Sequence, residues 1–88
     1  MKLKYTFEIV DVGEELIAVP VGERAHKLQG VIKLNRTGLE ILDLLKNETT
    51  EEAITKVLSD KYDDEQERIA EYVHKVILAL CENDIIGY

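Results

Sequence analysis

Residues 31–45, VIKLNRTGLEILDLL, decide the fold. Val31 to Leu34 read as a short strand, with Ile32 and Leu34 on one face and Val31 and Lys33 on the other. Asn35 follows at once and makes a good helix N-cap, since its side-chain oxygen can accept an otherwise orphaned backbone N–H. Behind it Ile41, Leu42 and Leu45 recur at helical spacing, while Glu40, Asp43 and Lys46 turn away. A strand edge beside a layer of helices is a place where a peptide can be caught.

Upstream, Tyr5, Phe7 and Ile9 alternate with Thr6, Glu8 and Val10, the period of a half-buried strand. Gly13, before Glu14 and Glu15, supplies a turn into a second strand, Glu15 to Val21. Pro20 has no N–H to give a ladder, so that end reads as an edge or a terminus. Residues Gly22 to Gly30 are irregular and carry Arg24, His26 and Lys27. This small basic cluster reads first as an ordinary polar loop, and second as a contact for an acidic peptide or a partner enzyme.

Downstream, Lys46-Asn47 reads as a break, with Asn47 suited to a left-handed helix stop. Thr49 and Glu52 have the spacing of a capping box for a second helix, whose inward stripe is Ile54, Val57, Leu58 and Tyr62. The short connection makes the first two helices a helix-turn-helix pair. Asp63 and Asp64 end that pair, and Asp64 with Glu67 has the spacing to cap a third helix from about Glu65 to Glu82. Ile69, Val73, Val76, Ile77 and Leu80 give this helix a wide apolar face. Cys81 reads as a small core hydrophobe, Asn83-Asp84 as the stop, and Ile85-Ile86 as a cover folding back on the core.

A second stripe of the same helix is more informative. Arg68, Tyr72, Lys75 and Ala79 are spaced four, three and four apart and share a face bordering Ile69 and Val76. They could be an ordinary boundary, with Arg68 paired to Asp64 or Glu71 and Lys75 to Glu71. They could equally form one wall of a groove whose other wall is the strand Val31 to Leu34.

Eighty-eight residues suit one domain, 1–88, with 45% hydrophobic and 33% charged residues, a globular balance. No apolar run approaches the ~20 residues that a membrane helix needs. The opening MKLKYTFEIV meets glutamate too early for a secretory signal. One cysteine leaves no disulfide framework, in keeping with a cytoplasmic location. The net charge of −7 is uneven: up to Arg36, six basic residues face five acidic ones, and from Thr37 five face thirteen. An acidic helical half opposes phosphate binding and hence nucleic acid. His26 and His74 lack Cys or carboxylate neighbours at metal-ligand spacing. No phosphate loop, paired-Cys motif, H-E-x-x-H or G-x-S-x-G occurs. The expectation is a binding module without cofactor, metal or catalytic residues.

Leu34, Asn35, Thr37 and Gly38, then Ile41, Leu42, Leu44 and Leu45, then Thr50, Glu51, Glu52 and Ala53, with a long final helix, resemble the PqqD-like family, also called RiPP recognition elements. The similarity covers about Gly30 to Tyr88. It departs at Leu42, where the family often has Trp, and at Asn47 and Asp84, where it often has Gly. The resemblance implies an α+β winged helix-turn-helix fold of three N-terminal antiparallel strands followed by three helices. It implies a non-catalytic domain that binds the leader of a ribosomally made precursor peptide as an added strand on the third strand, against the third helix. A modifying enzyme, often a radical S-adenosylmethionine enzyme, would then act on the presented peptide. Carried onto this chain, the strand is Val31, Ile32, Lys33 and Leu34, and the facing helix offers Arg68, Tyr72, Lys75, Val76 and Ala79. Lys33, Arg68 and Lys75 would favour a leader with acidic residues. The alternatives are a winged helix-turn-helix DNA-binding or regulatory protein, and a small regulatory subunit that binds a folded partner.

Overall fold

The computed structural model describes residues 1–23, 25–27 and 30–87. A three-stranded antiparallel sheet is built from β2 (Thr6–Asp11), β3 (Leu16–Val21) and β4 (Ile32–Leu34), in that order. Three helices follow: α1 (Arg36–Leu44), α2 (Glu51–Lys61) and α3 (Gln66–Glu82). This is the α+β arrangement that the sequence leads one to expect. A second, two-stranded sheet was not legible in it: β1 (Lys2–Leu3) pairs antiparallel with β5 (Ile86–Gly87). Two residues are too few to show a period of two.

Alternation sets the three-stranded sheet. Phe7 and Ala18 turn toward the core, and Ala18 is fully buried. At the β2–β3 turn Gly13 takes φ 97°, and its N–H donates to Asp11 Oδ1 at 2.9 Å. Only glycine reaches this conformation without strain. Pro20 sits opposite Phe7, whereas β4 reaches only Leu16–Ala18 of β3. The proline therefore costs no hydrogen bond to β4, which reconciles it with a central strand.

The helices close the core. Ile41, Leu42 and Leu45 meet Ile54 and Leu58 of α2 and Ile69, Val73, Ile77 and Leu80 of α3, all buried. Ile85 and Ile86 fold back over this cluster and are 4% and 3% exposed. Val57, expected in the α2 stripe, is 46% exposed instead, and Thr55 is buried in its stead. The packed face of α2 is thus rotated toward α3, on the Ile54–Thr55–Leu58 side.

Helix ends depart from expectation in three places, while the stop expected at Asn83-Asp84 is where α3 ends. Thr50, not Thr49, caps α2, accepting from Ala53 N–H at 3.1 Å. Glu51 and Glu52 then lie in the first turn, where carboxylates favour the helix dipole. Asp64 does not cap α3; its Oδ1 accepts from Glu65 N–H, and Glu65 is the cap residue without a side-chain bond. Asn47 does not take a left-handed conformation: α1 ends at Leu45, whose N–H reaches the Ile41 and Leu42 carbonyls. Asp84 does take one, at φ 57°. Its backbone N–H donates to Cys81 O, Ile85 N–H donates to Leu80 O, and Lys4 pairs with its carboxylate. Those contacts hold an aspartate where glycine would be unstrained.

Leu45 is fully buried and Leu34 only half-buried. Leu45→Ala is therefore expected to cost about 2–5 kcal/mol, and Leu34→Ala clearly less, in urea unfolding.

Candidate functional site

The strand β4 is paired on one side only. Leu34, Lys33 and Ile32 face Leu16, Ile17 and Ala18 of β3. Among the described residues nothing pairs with its other edge. Across from that edge runs α3. Between them lies a cleft of about 240 Å³, with Ile32, Lys33 and Leu34 on the strand side and Tyr72, Val76, Ala79 and Leu80 on the helix side.

The cleft extends in both directions. Toward the start of β4 it opens into a second hollow of about 290 Å³, where Val31 lies with Ala79, Asn83 and Ile85. Beyond Asn35 it meets a third, of about 440 Å³, lined in part by Leu58, Tyr62, Asp64, Arg68 and Ile69. Asn35 and Tyr72 belong to both the first and the third hollow. The result is one trough along the free edge of β4.

Asn35 holds the trough's shape. Its Oδ1 accepts from Gly38 N–H at 2.7 Å, the cap foreseen in the sequence, and also from Tyr72 O–H at 2.9 Å. One oxygen thus joins the end of β4, the first turn of α1 and the middle of α3. Gly38 permits the close approach, since a Cβ there would lie 3.2 Å from Asn35 Oδ1 and 3.3 Å from Leu34 Cδ2. The alkyl wall of Leu34 can then sit against the helix start.

Most of the residues expected at the site are brought together. Val31 is 51% exposed at the strand's mouth. Ile32, Leu34, Tyr72 and Val76 are half-buried walls, and Ala79 lies exposed on the helix face. Arg68 borders only the third hollow and pairs with Asp64 at 3.6 Å. Lys75 stands apart: it lines none of these three hollows, is 72% exposed and pairs with Glu71 at 3.4 Å. Face spacing put it on the stripe, but the helix turns its head to solvent. Lys33 is exposed on the strand itself, in no ion pair among the described residues. Of the loop cluster, His26 and Lys27 form an exposed 3-10 turn, and Arg24 lies outside the described residues. Leu80, Asn83 and Ile85 also line the trough; in the sequence they read only as core or helix-end residues.

The far hollow ends on a polar bracket. Tyr62 O–H donates to Glu40 at 2.8 and 2.9 Å, and Lys61 Nζ reaches the same carboxylate at 2.6 Å. The Lys61 hydrogen bond, helped by Tyr62 and by the lysine's charge, holds the Glu40 carboxyl below its ordinary value against the opposing effect of burial. The same contact raises the Lys61 ammonium. A depressed carboxylate contributes stability that is present above its unfolded value and is lost as pH falls through the folded one.

The sequence over residues 14–86 matches the family described as Coenzyme PQQ synthesis protein D (PqqD). No curated protein matches the chain. Among solved structures, the fold is similar to that of TbiB1, solved in complex with the TbiA(beta) leader peptide. The TM-score is 0.74 at 17% identity, over 100% of this chain and 98% of that one.

Two outcomes are expected. Asn35→Ala should cost about 1 kcal/mol by loss of the cap, with Asn35→Asp recovering most of it in urea unfolding. Glu40→Gln should flatten the acid side of the stability profile as pH falls below the ordinary carboxylate value of 4.5, because the group whose protonation breaks the bracket is gone.

Proposed function

The chain belongs to the PqqD family, and from that premise we propose that it is a non-catalytic peptide chaperone. It binds the leader of a ribosomally synthesised precursor peptide and presents it to a modifying enzyme, of which a radical S-adenosylmethionine enzyme is the leading choice. Residues 1–88 act as one domain, in the cytoplasm. The observation that carries the reading is the unpaired edge of β4 facing Tyr72, Val76 and Ala79 across an open trough. The solved complex of the similar fold with a leader peptide supports the same reading.

The physical mechanism is strand addition. A guest chain pairs its backbone with β4, and its alternate side chains seat between Ile32, Leu34 and the α3 wall. Each net hydrogen bond contributes only about 0.5–1.5 kcal/mol. Micromolar affinity, about −8 kcal/mol, therefore also requires apolar anchors in the trough. Val31 and Ala79 flank the second hollow, and Tyr72 stands where the first meets the third. Lys33 is the cation placed to choose an acidic residue of the leader. Arg68 would act only on a segment that reaches the far hollow, and Lys75 only through the wider field.

A DNA-binding protein remains the competing reading because it shares helix order with this fold. Both later helices are net acidic, each by one charge: α2 carries Glu51, Glu52 and Asp60 against Lys56 and Lys61, and α3 carries Glu67, Glu71 and Glu82 against Arg68 and Lys75. A reading helix needs cations or amides toward the groove. A gel shift on random duplex at low salt should show no complex.

Titrating candidate leaders, encoded beside the gene, into isotope-labelled protein tests the proposal. Shifts concentrated in 31–34 and along 72–79 support it, and shifts confined to the acidic face of α2 would sink it. Ala79→Arg fills the trough from an exposed position. It should weaken leader binding at least ten-fold with thermal unfolding unchanged, and Lys33→Glu should weaken an acidic leader more than a neutral one.

A further inference from the structure

The sheet has a second open edge. In the order β2-β3-β4, nothing among the described residues pairs with the outer side of β2. It is six residues long, twice β4, with no proline or lysine to blunt it. Edges of that kind are normally protected or used. Of the six large hydrophobic side chains exposed among the described residues, three lie in and just after β2: Ile9, Val10 and Val12, at 36%, 41% and 56%.

A cleft runs beside this edge as well. Leu3, Phe7 and Ile9 on the sheet side face Leu39 and Leu42 of α1 across about 390 Å³. The pattern repeats that of the leader trough: a free strand, an apolar floor and a helix as the far wall. The charge is opposite. Glu8 and Asp11 lie on the strand, Glu14 and Glu15 in its turn, and Glu40 and Asp43 on the helix wall. Lys46, which lines the cleft, pairs with Asp43 at 2.9 Å, and Lys61 pairs with Glu40 at 2.6 Å, so the helix-wall carboxylates are already matched. The uncompensated negative charge is that of Glu8, Asp11, Glu14 and Glu15, in no ion pair among the described residues.

We propose that the β2 edge and its α1 cleft dock a cationic extended strand of a second protein, its apolar side chains alternating with lysine or arginine. Resting on the chaperone reading above, the protein that supplies this strand is the modifying enzyme. The sheet then joins guest and enzyme through its two edges, with β3 between them.

Charge decides against a second copy. An antiparallel β2–β2 pair would bring the two sets of Glu8 and Asp11 together, between chains of net charge −7. Pairing β2 of one copy with β4 of the next matches only three residues against six. It would also leave ends that do not close.

The probe is an acetylated, amidated eight-residue peptide of alternating valine and lysine, titrated into isotope-labelled protein at low salt. The amides of 6–11 and the methyls of Leu39 and Leu42 should shift. A peptide of the same composition in two blocks should bind at least ten-fold more weakly, because it lacks the alternation. The exposed double variant Glu8→Lys with Asp43→Lys should lose binding at least ten-fold with thermal unfolding unchanged. Equal binding of the two peptides, equal binding by the variant, or shifts confined to α2 and α3 would overturn the proposal. So would shifts of 6–11 on dilution of the protein alone, which signify a second copy. Leader binding is read separately at 31–34, so loss of one edge's response is distinguishable from loss of the other's.

Discussion

One side-chain oxygen governs the site. Asn35 Oδ1 takes the N–H that opens α1 and the hydroxyl that α3 sends across from Tyr72. Because β4 ends at Leu34, that oxygen also fixes where the free strand edge stands relative to the facing helix. No linker intervenes between strand and helix, so the trough has little freedom to widen or close. On the proposed reading a peptide added to β4 would meet a preformed wall, which reduces the ordering cost of binding.

The residues of this junction were legible because they obey local rules. Asn35 announces a cap, Ile32 and Leu34 alternate, and Ile41, Leu42 and Leu45 recur on a helical period. Residues set by tertiary packing were not. Thr50 wins over Thr49 because the chain enters α2 one residue later, which forfeits the capping box yet keeps two carboxylates on the first turn. Val57 loses its expected place to Thr55 because α3 lies to one side of α2, a fact that no period within α2 contains. The β1–β5 pair joins residues more than eighty positions apart, through two-residue strands with no pattern to read.

The candidate cleft was half legible. The strand came from its motif, and Tyr72, Val76 and Ala79 from a shared helix face; Ile32 to Leu34 and these three line one cleft, and Val31 lies in the next hollow. The same spacing argument failed for Lys75, since a helical face is wide and a long side chain at its margin finds solvent and Glu71. Charge counted over half the chain also blurred what the geometry separates. The acidic excess belongs to helix surfaces and to the β2 side, whereas the β4 edge carries Lys33.

Two sheet edges left unpaired among the described residues create an aggregation hazard that the chain must manage. Shortness protects β4, which offers only three residues and one cation. The longer β2 relies on carboxylates, and a net charge of −7 keeps copies apart at range. These protections are selective rather than absolute. Repulsion between identical acidic edges does nothing to exclude a cationic strand, and one lysine on β4 does nothing to exclude an acidic guest. On the proposed reading, the charges that keep the protein from pairing with itself are therefore also those that would sort which foreign strand each edge accepts.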